Sequence, residues 1–211
     1  MPNNKTDLLT EVAEYYTTKL AEYGETPRGV DWNGEEGQTL RFEQLCKIVN
    51  TASHFSINDL GCGYGALYDF LVTKYEETSY FGVDVSEGMI KAAEQRYKNQ
   101  PQARFVFSSE PKEVADFGVA SGIFNVRMGR SDDEWRSYLE ATLNVLDRTS
   151  RIGFAFNCLT SYSDKDKMRD YLYYADPCVL FDLCKRRYSR NVALLHDYDL
   201  YEFTILVRKP S

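Results

Sequence analysis

The feature that most constrains the fold is a glycine-rich loop at residues 59–67, which read DLGCGYGAL. The loop follows an apolar run with strand character and leads directly into a stretch with helical spacing. Glycines at positions 61, 63 and 65 carry no Cβ, so a ligand can approach the main chain closely. The following helix directs the positive end of its dipole toward the same point. The pattern therefore predicts a nucleotide-binding turn between a strand and a helix.

An acidic residue about twenty positions later strengthens this interpretation. Residues 80–84 form a short apolar run that ends in Asp84, and the segment VSEGM follows at once. A carboxylate at the tip of a strand can accept hydrogen bonds from both ribose hydroxyls of a bound nucleoside. Asp84 is accordingly the predicted ribose acceptor.

Two kinds of protein place a glycine loop and a ribose-binding acid at this spacing: dinucleotide-binding dehydrogenases and S-adenosylmethionine-dependent methyltransferases. The glycines here fit G-x-G-x-G better than the dinucleotide fingerprint, and Asp59, two residues before the first glycine, would repel a pyrophosphate but suits an ammonium group. More than fifty residues of helical character precede the loop. Two apolar runs at 192–196 and 201–207, joined by a short turn, predict an antiparallel hairpin at the end of the chain.

These features together resemble the class I methyltransferases. Residues 59–65 look like their motif I, residues 82–89 (GVDVSEGM) look like their second motif, and the terminal hairpin looks like their reversed seventh strand. The resemblance covers roughly residues 55–211, while the first fifty residues match only in being helical. It implies an α/β fold with a doubly wound, seven-stranded, mostly parallel sheet, a reversed C-terminal strand and an N-terminal helical cover. It also implies S-adenosyl-L-methionine as cofactor.

The predicted domain organisation is a single methyltransferase domain over residues 1–211. Residues 1–53 form the helical cover and residues 54–211 the Rossmann-like core, with a polar, tyrosine-bearing lid at about 160–176 that we expect to lie over the glycine loop. Only about seven residues connect the third and fourth predicted strands, which indicates that the usual helix between them is missing. Periodicity and turn residues predict helices at about 7–23, 38–52, 64–75, 86–98, 132–146 and 177–188, and strands at 55–60, 79–84, 104–108, 116–121 and 152–157.

The cofactor-binding residues follow from the motifs and from the charge of the ligand. Asp59 is predicted to face the amino group of the methionine moiety, Met89 to contact the adenine, and Ser109 to stand near the adenine amino group. Arg41, on a helix expected to cover the cofactor, is the candidate partner for the methionine carboxylate. The full predicted set is Tyr16, Trp32, Arg41, Asp59, Gly61, Cys62, Gly63, Asp84, Val85, Met89, Ser109 and Ser121.

The catalytic candidates are polar residues expected on the methyl side of the cofactor. Arg127 follows the fourth strand, Asn157 ends the fifth, Tyr162 belongs to the lid, and His196 lies in the terminal hairpin. A general base is needed only if the acceptor is protonated at neutral pH. The sequence leaves the need for a base open.

The amino-acid composition limits the classes of partner that the protein is expected to bind. The net charge is −7, which argues against a general nucleic-acid binder, since phosphate neutralisation requires a broad basic face. Five cysteines show no metal-ligand spacing and are odd in number, so reduced thiols in a cytoplasmic protein are expected, with no metal site. No apolar run is long enough to span a bilayer.

The predicted function is therefore methyl transfer from S-adenosylmethionine to a small-molecule acceptor by an in-line reaction. The alternatives are a non-catalytic S-adenosylmethionine-binding regulatory protein and a protein methyltransferase. The sequence leaves open whether nitrogen, oxygen, sulfur or carbon is methylated, and what the oligomeric state is.

Overall fold

The computed structural model describes residues 4–51 and 54–210. Its helices are α1 (Asn4–Tyr23), a 3-10 helix (Pro27–Val30), α2 (Glu35–Cys46), α3 (Ala66–Lys74), α4 (Glu87–Arg96), α5 (Asp132–Arg148) and α6 (Pro177–Arg187). Its strands are β1 (Phe55–Leu60), β2 (Thr78–Asp84), β3 (Ala103–Phe107), β4 (Ala115–Ala120), β5 (Ser150–Leu159), β6 (Asn191–Leu195) and β7 (Glu202–Arg208).

The seven strands form one sheet in the order β3-β2-β1-β4-β5-β7-β6. The first five strands along the chain pair in parallel, and β7 pairs antiparallel with both β5 and β6. The strand order reverses direction between β1 and β4, and ligands of such sheets bind at this switch point, outside the carboxyl ends of the strands. The predicted fold class, including the reversed C-terminal strand and the N-terminal helical cover, is confirmed.

Helices cover both faces of the sheet and form two apolar cores. The first core packs α2, α3 and α4 against one face, around Ile57, Tyr80 and Phe117. The second packs α5 and α6 against the other face, around Phe154, Phe156 and Phe203. The carboxyl ends of β1, β2 and β4 lie at one edge of the sheet, and the glycine loop follows β1 at that edge.

The predicted elements match the structure with shifts of a few residues. The predicted helix 38–52 begins earlier, at Glu35, and ends at Cys46, because the next amides, from Lys47 to Val49, bond three residues back in a tighter turn. Strand β5 is longer than predicted at both ends. No helix lies between β3 and β4 in the described chain, as the short connection predicted. The predicted end of the second helix at residue 52 and the boundary at residue 53 lie outside the described residues.

Helix α5 begins with a complete capping box. The Ser131 hydroxyl accepts from the Glu134 amide at 3.4 Å, and the Glu134 carboxylate accepts from the Ser131 amide at 3.0 Å. Three acidic residues in the first turn complement the helix dipole. This helix presents Trp135, Leu139 and Leu143 to the core.

The segment predicted as a lid, 160–176, takes a different position from the one expected. Its backbone pairs with the loop after β4, through bonds from the Arg127 amide to the Tyr171 carbonyl (3.0 Å) and from the Tyr173 amide to the Asn125 carbonyl (2.8 Å). The segment therefore docks beside the end of β4, and among the described residues it contributes no side chain to the cavity described below. These pairings between distant segments could not be read from the local sequence.

Within residues 4–51 and 54–210, no helix has both the length and the apolar character needed to span a membrane.

Candidate active site

The glycine loop is held against the end of β2 by two main-chain hydrogen bonds. The amides of Gly61 and Cys62 both donate to the Val83 carbonyl, at 2.8 and 3.0 Å. Gly61 has φ +77°, and a Cβ built on it would lie 2.2 Å from Cγ2 of Ile123. Both the backbone conformation and the space therefore require glycine at this position. The loop brings β1, β2 and the segment after β4 into contact around one hollow.

Asp84 is fixed at the tip of β2 by main-chain donors. One carboxylate oxygen accepts from the Gly63 amide at 2.9 Å, and the other accepts from the Ser86 amide at 2.8 Å. Burial raises the pKa of Asp84, and these backbone donors oppose that rise by stabilising the charged form. The orientation of the carboxylate is thus set before any ligand arrives.

Asp59, at the carboxyl end of β1, is a buried acid with one free oxygen. The Tyr80 hydroxyl donates to its Oδ2 at 2.6 Å, while Oδ1 is buried without a hydrogen-bond partner. Burial raises the pKa of Asp59 to about 7; the Tyr80 hydrogen bond lowers it and the nearby Asp84 charge raises it. An unpartnered buried carboxylate oxygen is costly, and a cationic ligand group would relieve that cost.

The two acids and the glycine loop line one cavity of about 1070 Å³, a volume that includes its open mouth. The N-terminal cover forms one side of it, and the sheet tips and α5 form the other. The lining residues are Leu9, Val12, Tyr16, Val30, Trp32, Gln38, Phe42, Asp59, Leu60, Gly61, Cys62, Gly63, Tyr64, Ala66, Leu67, Val83, Asp84, Val85, Met89, Ser108, Ser109, Ser121, Ile123, Tyr138, Thr142 and Val145.

Polar contacts hold the cover over the cavity. The Thr17 and Ser86 hydroxyls lie 2.8 Å apart, which ties α1 to the start of α4. Asp31, just after the 3-10 helix, accepts from the Tyr15 hydroxyl at 2.7 Å and pairs with Lys19 at 2.9 Å. These contacts place Tyr16, the neighbour of Tyr15, in the cavity wall.

Eleven of the twelve predicted cofactor residues line this cavity. They are Tyr16, Trp32, Asp59, Gly61, Cys62, Gly63, Asp84, Val85, Met89, Ser109 and Ser121. The glycine loop, the strand tips and the first turn of α4 meet at this cavity because parallel strands end at the same edge of the sheet.

Arg41 is the exception, because the structure pairs it with a carboxylate of the protein. Its Nε and Nη2 donate to Glu202 at 2.6 to 2.9 Å, and its guanidinium carbon lies 3.8 Å from the centre of the Trp32 ring. The side chain is outside the cavity lining. Because Glu202 is 161 positions away in the chain, no local pattern indicates this pair.

The four catalytic candidates also lie outside the cavity lining. Arg127 pairs with Asp132 on the surface. The side chain of Asn157 is buried, and its Oδ1 accepts a hydrogen bond from the Gly122 main-chain amide at 2.7 Å. Tyr162 is 70% exposed, and its ring packs near that of His196, which is exposed just beyond β6. Their positions result from docking of the 160–176 segment and of the terminal hairpin, which the sequence did not specify.

Sequence reasoning missed the contribution of α5. Tyr138, Thr142 and Val145 lie on one face of this helix and form part of the cavity wall. Their spacing of four and three residues was visible in the sequence, but such a face is normally core. Burial raises the pKa of the Tyr138 hydroxyl to about 12, so this hydroxyl stays protonated and can donate a hydrogen bond at neutral pH.

The wall fits an adenosyl sulfonium amino acid. The free Oδ1 of Asp59 matches an ammonium group, Asp84 matches a pair of ribose hydroxyls, and Met89 and Val85 supply apolar surface. Among the residues that the structure describes, no group of histidine, cysteine and acidic side chains is arranged to hold a metal ion.

Comparison with known proteins agrees with this geometry. Residues 57–148 match the family model described as a methyltransferase domain. A Mycobacterium tuberculosis protein named "Putative methyltransferase Rv1506c" is 62% identical over 165 residues, which cover 78% of this chain and 99% of that protein.

Solved structures show the same fold at low identity. The magnesium protoporphyrin IX methyltransferase of Synechocystis PCC 6803, solved with bound S-adenosylhomocysteine, has a TM-score of 0.71 at 13% identity and covers 95% of this chain and 99% of its own. An N-methyltransferase of Bradyrhizobium japonicum, also bound to S-adenosylhomocysteine, has a TM-score of 0.65 at 15% identity, covering 94% and 98%.

The sheet order, the glycine loop and the acid at the tip of β2 define a Rossmann-like, nucleoside-binding fold. The chain belongs to the methyltransferase family, and its cofactor is S-adenosyl-L-methionine.

Proposed function

We propose that this methyltransferase transfers the methyl group of S-adenosylmethionine to a small-molecule acceptor, which enters through the open mouth of the cavity. The observation that carries the proposal is the cover formed by α1, the 3-10 helix and α2. These elements contribute Leu9, Tyr16, Val30 and Phe42 to the wall opposite the sheet, and the loop between the 3-10 helix and α2 contributes Trp32. A largely apolar cavity closed on that side favours a compact acceptor.

Within this proposal, two acids hold the cofactor. Asp84, oriented by the Gly63 and Ser86 amides, accepts hydrogen bonds from the ribose hydroxyls. Asp59 uses its free Oδ1 to accept a hydrogen bond from the ammonium group. Each is a hydrogen bond to a charged group, which contributes about 1.5–3 kcal/mol.

The rest of the wall orients the cofactor through shape. Met89, at the start of α4, offers a polarizable surface to the adenine, and Tyr138 and Thr142 close the same end from α5. Ser109 is an exposed residue of the lining assigned to the adenine end, where its hydroxyl adds at most a weak polar contact. Gly61 and Gly63 border the part of the cavity assigned to the sugar and the sulfonium, and their missing Cβ atoms let Ile123 and Val30 complete the wall there.

The bound cofactor supplies an activated methyl group on a positively charged sulfur. The residues of this chain then have two tasks: to align the acceptor with the sulfur–methyl bond and to exclude water. Ser121 and Ile123, at and after the tip of β4, form the wall nearest the expected path of the acceptor. We therefore propose in-line transfer governed by alignment, in which an acceptor that carries a proton releases it to solvent after the methyl group has been transferred.

The acceptor class can be tested directly. Purified protein and S-adenosylmethionine are incubated with an extract of the source cells that ultrafiltration has separated into small-molecule and macromolecular fractions, and release of S-adenosylhomocysteine is measured. We expect release with the small-molecule fraction only, and none with Asp84→Ala. Release confined to the macromolecular fraction would reject the small-molecule acceptor and favour a protein substrate. Once the acceptor is identified, in-line transfer of a chiral, isotopically labelled methyl group should invert the configuration of that group.

A further inference from the structure

Five residues from four parts of the chain form a closed ring beside the cavity. Arg41 binds Glu202 through a two-nitrogen fork at 2.6–2.9 Å, and Glu202 accepts from Asn157 Nδ2 at 2.7 Å. Asn157 Oδ1 accepts from the Gly122 amide at 2.7 Å. Gly122 packs closely against the Trp32 ring, since a Cβ built on Gly122 would lie 2.4 Å from Cζ2 of Trp32. The Trp32 ring in turn stacks on the Arg41 guanidinium at 3.8 Å, which closes the ring of contacts. We call this set the clasp.

The clasp joins the N-terminal cover to the carboxyl edge of the sheet. Trp32 and Arg41 belong to the cover, Asn157 and Glu202 lie on the paired strands β5 and β7, and Gly122 follows β4. Of these five residues, only Trp32 lines the cavity. Of the other four, Arg41 and Glu202 act on the cavity wall through the Trp32 ring, while Asn157 and Gly122 border the wall residues Ser121 and Ile123 as well.

The polar members of the clasp are almost completely shielded from water. The side chains of Arg41 and Glu202 are 11% and 1% exposed, and Asn157 is fully buried. A buried ion pair adds little net stability, but its bidentate geometry restricts both partners to one arrangement. Stacking on a guanidinium held in this way fixes the plane of the Trp32 ring.

We propose that Glu202, Arg41 and Asn157 are positioning residues for the cofactor site, which act by holding Trp32 as a rigid wall where β4 ends. The inference depends on cofactor binding and is independent of the acceptor. Its failure would therefore leave the proposed acceptor class unaffected.

The test uses S-adenosylhomocysteine as the probe and calorimetry as the measurement. Trp32→Ala removes the wall. Arg41→Met combined with Glu202→Gln removes both charges, which avoids leaving one buried charge alone and should preserve the thermal unfolding midpoint. Each protein should bind the probe about tenfold more weakly, the scale expected for loss of one ordered aromatic contact. The variant that combines all three substitutions should bind the probe no more weakly than the weaker binder of Trp32→Ala and the double variant, because both changes act through the same ring.

Arg41→Lys serves as a second variant in case the double variant does not fold. It keeps the charge but loses the fork and the planar stacking surface, so it should also weaken binding while leaving the unfolding midpoint nearly unchanged. Tryptophan fluorescence supplies a structural readout. The emission assigned to Trp32, by subtraction of the Trp32→Phe spectrum, should be quenched more readily by acrylamide in either clasp variant with the probe bound.

Three results would overturn the proposal. Fully additive losses in the triple variant would show that the charges act independently of Trp32. Wild-type affinity and quenching in a folded double variant would show that the clasp only stabilises the fold. Tighter binding in Glu202→Gln alone would show that Arg41, once released, serves the cofactor carboxylate directly.

Discussion

Asp59 should make cofactor affinity depend on pH near neutrality. In the cofactor-free protein, burial raises the pKa of this carboxyl to about 7, and its Oδ1 has no partner. An ammonium group placed against Oδ1 favours the ionised form, so binding of S-adenosylhomocysteine near pH 6 should release about one proton. The ionised fraction of a group with this pKa rises from roughly 0.09 at pH 6 to roughly 0.76 at pH 7.5. Affinity should therefore increase about eightfold over this range, equivalent to ~1.3 kcal/mol.

Calorimetry at pH 6, 6.5, 7 and 7.5 in buffers of different ionisation enthalpy gives both the affinity and the number of protons released. Asp59→Asn is the matched control, because it keeps the shape of the side chain and cannot ionise. Its affinity should be lower at pH 7.5 and nearly constant across the range. The range stops at pH 7.5 because an α-amino group itself titrates at about 7.7–8.0. An affinity that does not change with pH in the wild type, with no proton release, would refute the role given to Asp59.

Four further predictions concern stability and the cofactor site. Because the folded pKa of Asp59 is raised, its contribution to stability is present below the unfolded pKa and is lost as pH rises through about 7. In urea unfolding without cofactor, the free energy of unfolding of the wild type should fall by a few kcal/mol relative to that of Asp59→Asn between pH 4.5 and 7.5. Parallel pH dependences of the two proteins would contradict this. Asp84→Ala should weaken S-adenosylhomocysteine binding by about 100-fold, with a smaller loss in Asp84→Asn, and calorimetry showing unchanged affinity would remove the ribose assignment. Gly61→Ala should lower the free energy of unfolding by about 1–3 kcal/mol because of its φ of +77° and the Ile123 contact, and a neutral effect in urea unfolding would show that the loop can relax. Ser131→Ala should lower the free energy of unfolding by about 1 kcal/mol through loss of the α5 capping box, which is measured as a lower thermal midpoint. An unchanged midpoint would mean that the contact of the Glu134 carboxylate with the residue 131 amide is enough to cap the helix.

The sequence predicted those residues of the cavity wall whose signals are local. Gly61 and Gly63 are required by a strand–turn–helix unit contained in a few residues, and Asp84 follows its own strand. In parallel sheets such strand tips meet at one edge. The short link between β3 and β4 likewise excluded a helix by its length alone.

The parts that sequence reasoning missed depend on contacts between distant segments. Arg41 carried the right charge for a cofactor carboxylate, yet folding gives it Glu202 as a partner. The tyrosine-bearing segment looked like a lid from its place in the chain, but main-chain pairing with residues 125–128 sets it beside β4. Tyr138 and Thr142 had the spacing of a core face, and only the arrangement of α5 against the sheet makes that face border the cavity.

By itself, the sequence determined the succession of strands and helices along the chain, a glycine turn of the kind that admits a nucleoside, and two acids suited to a sugar and an ammonium group. These properties come from residue size, backbone freedom and periodicity, which act over a few positions. Tertiary structure alone decided which charges are neutralised within the protein, which helix face borders the cavity, and how the cover is fastened to the sheet. Those outcomes depend on which distant groups become neighbours once water is excluded, and neighbours separated by 161 positions leave no local pattern.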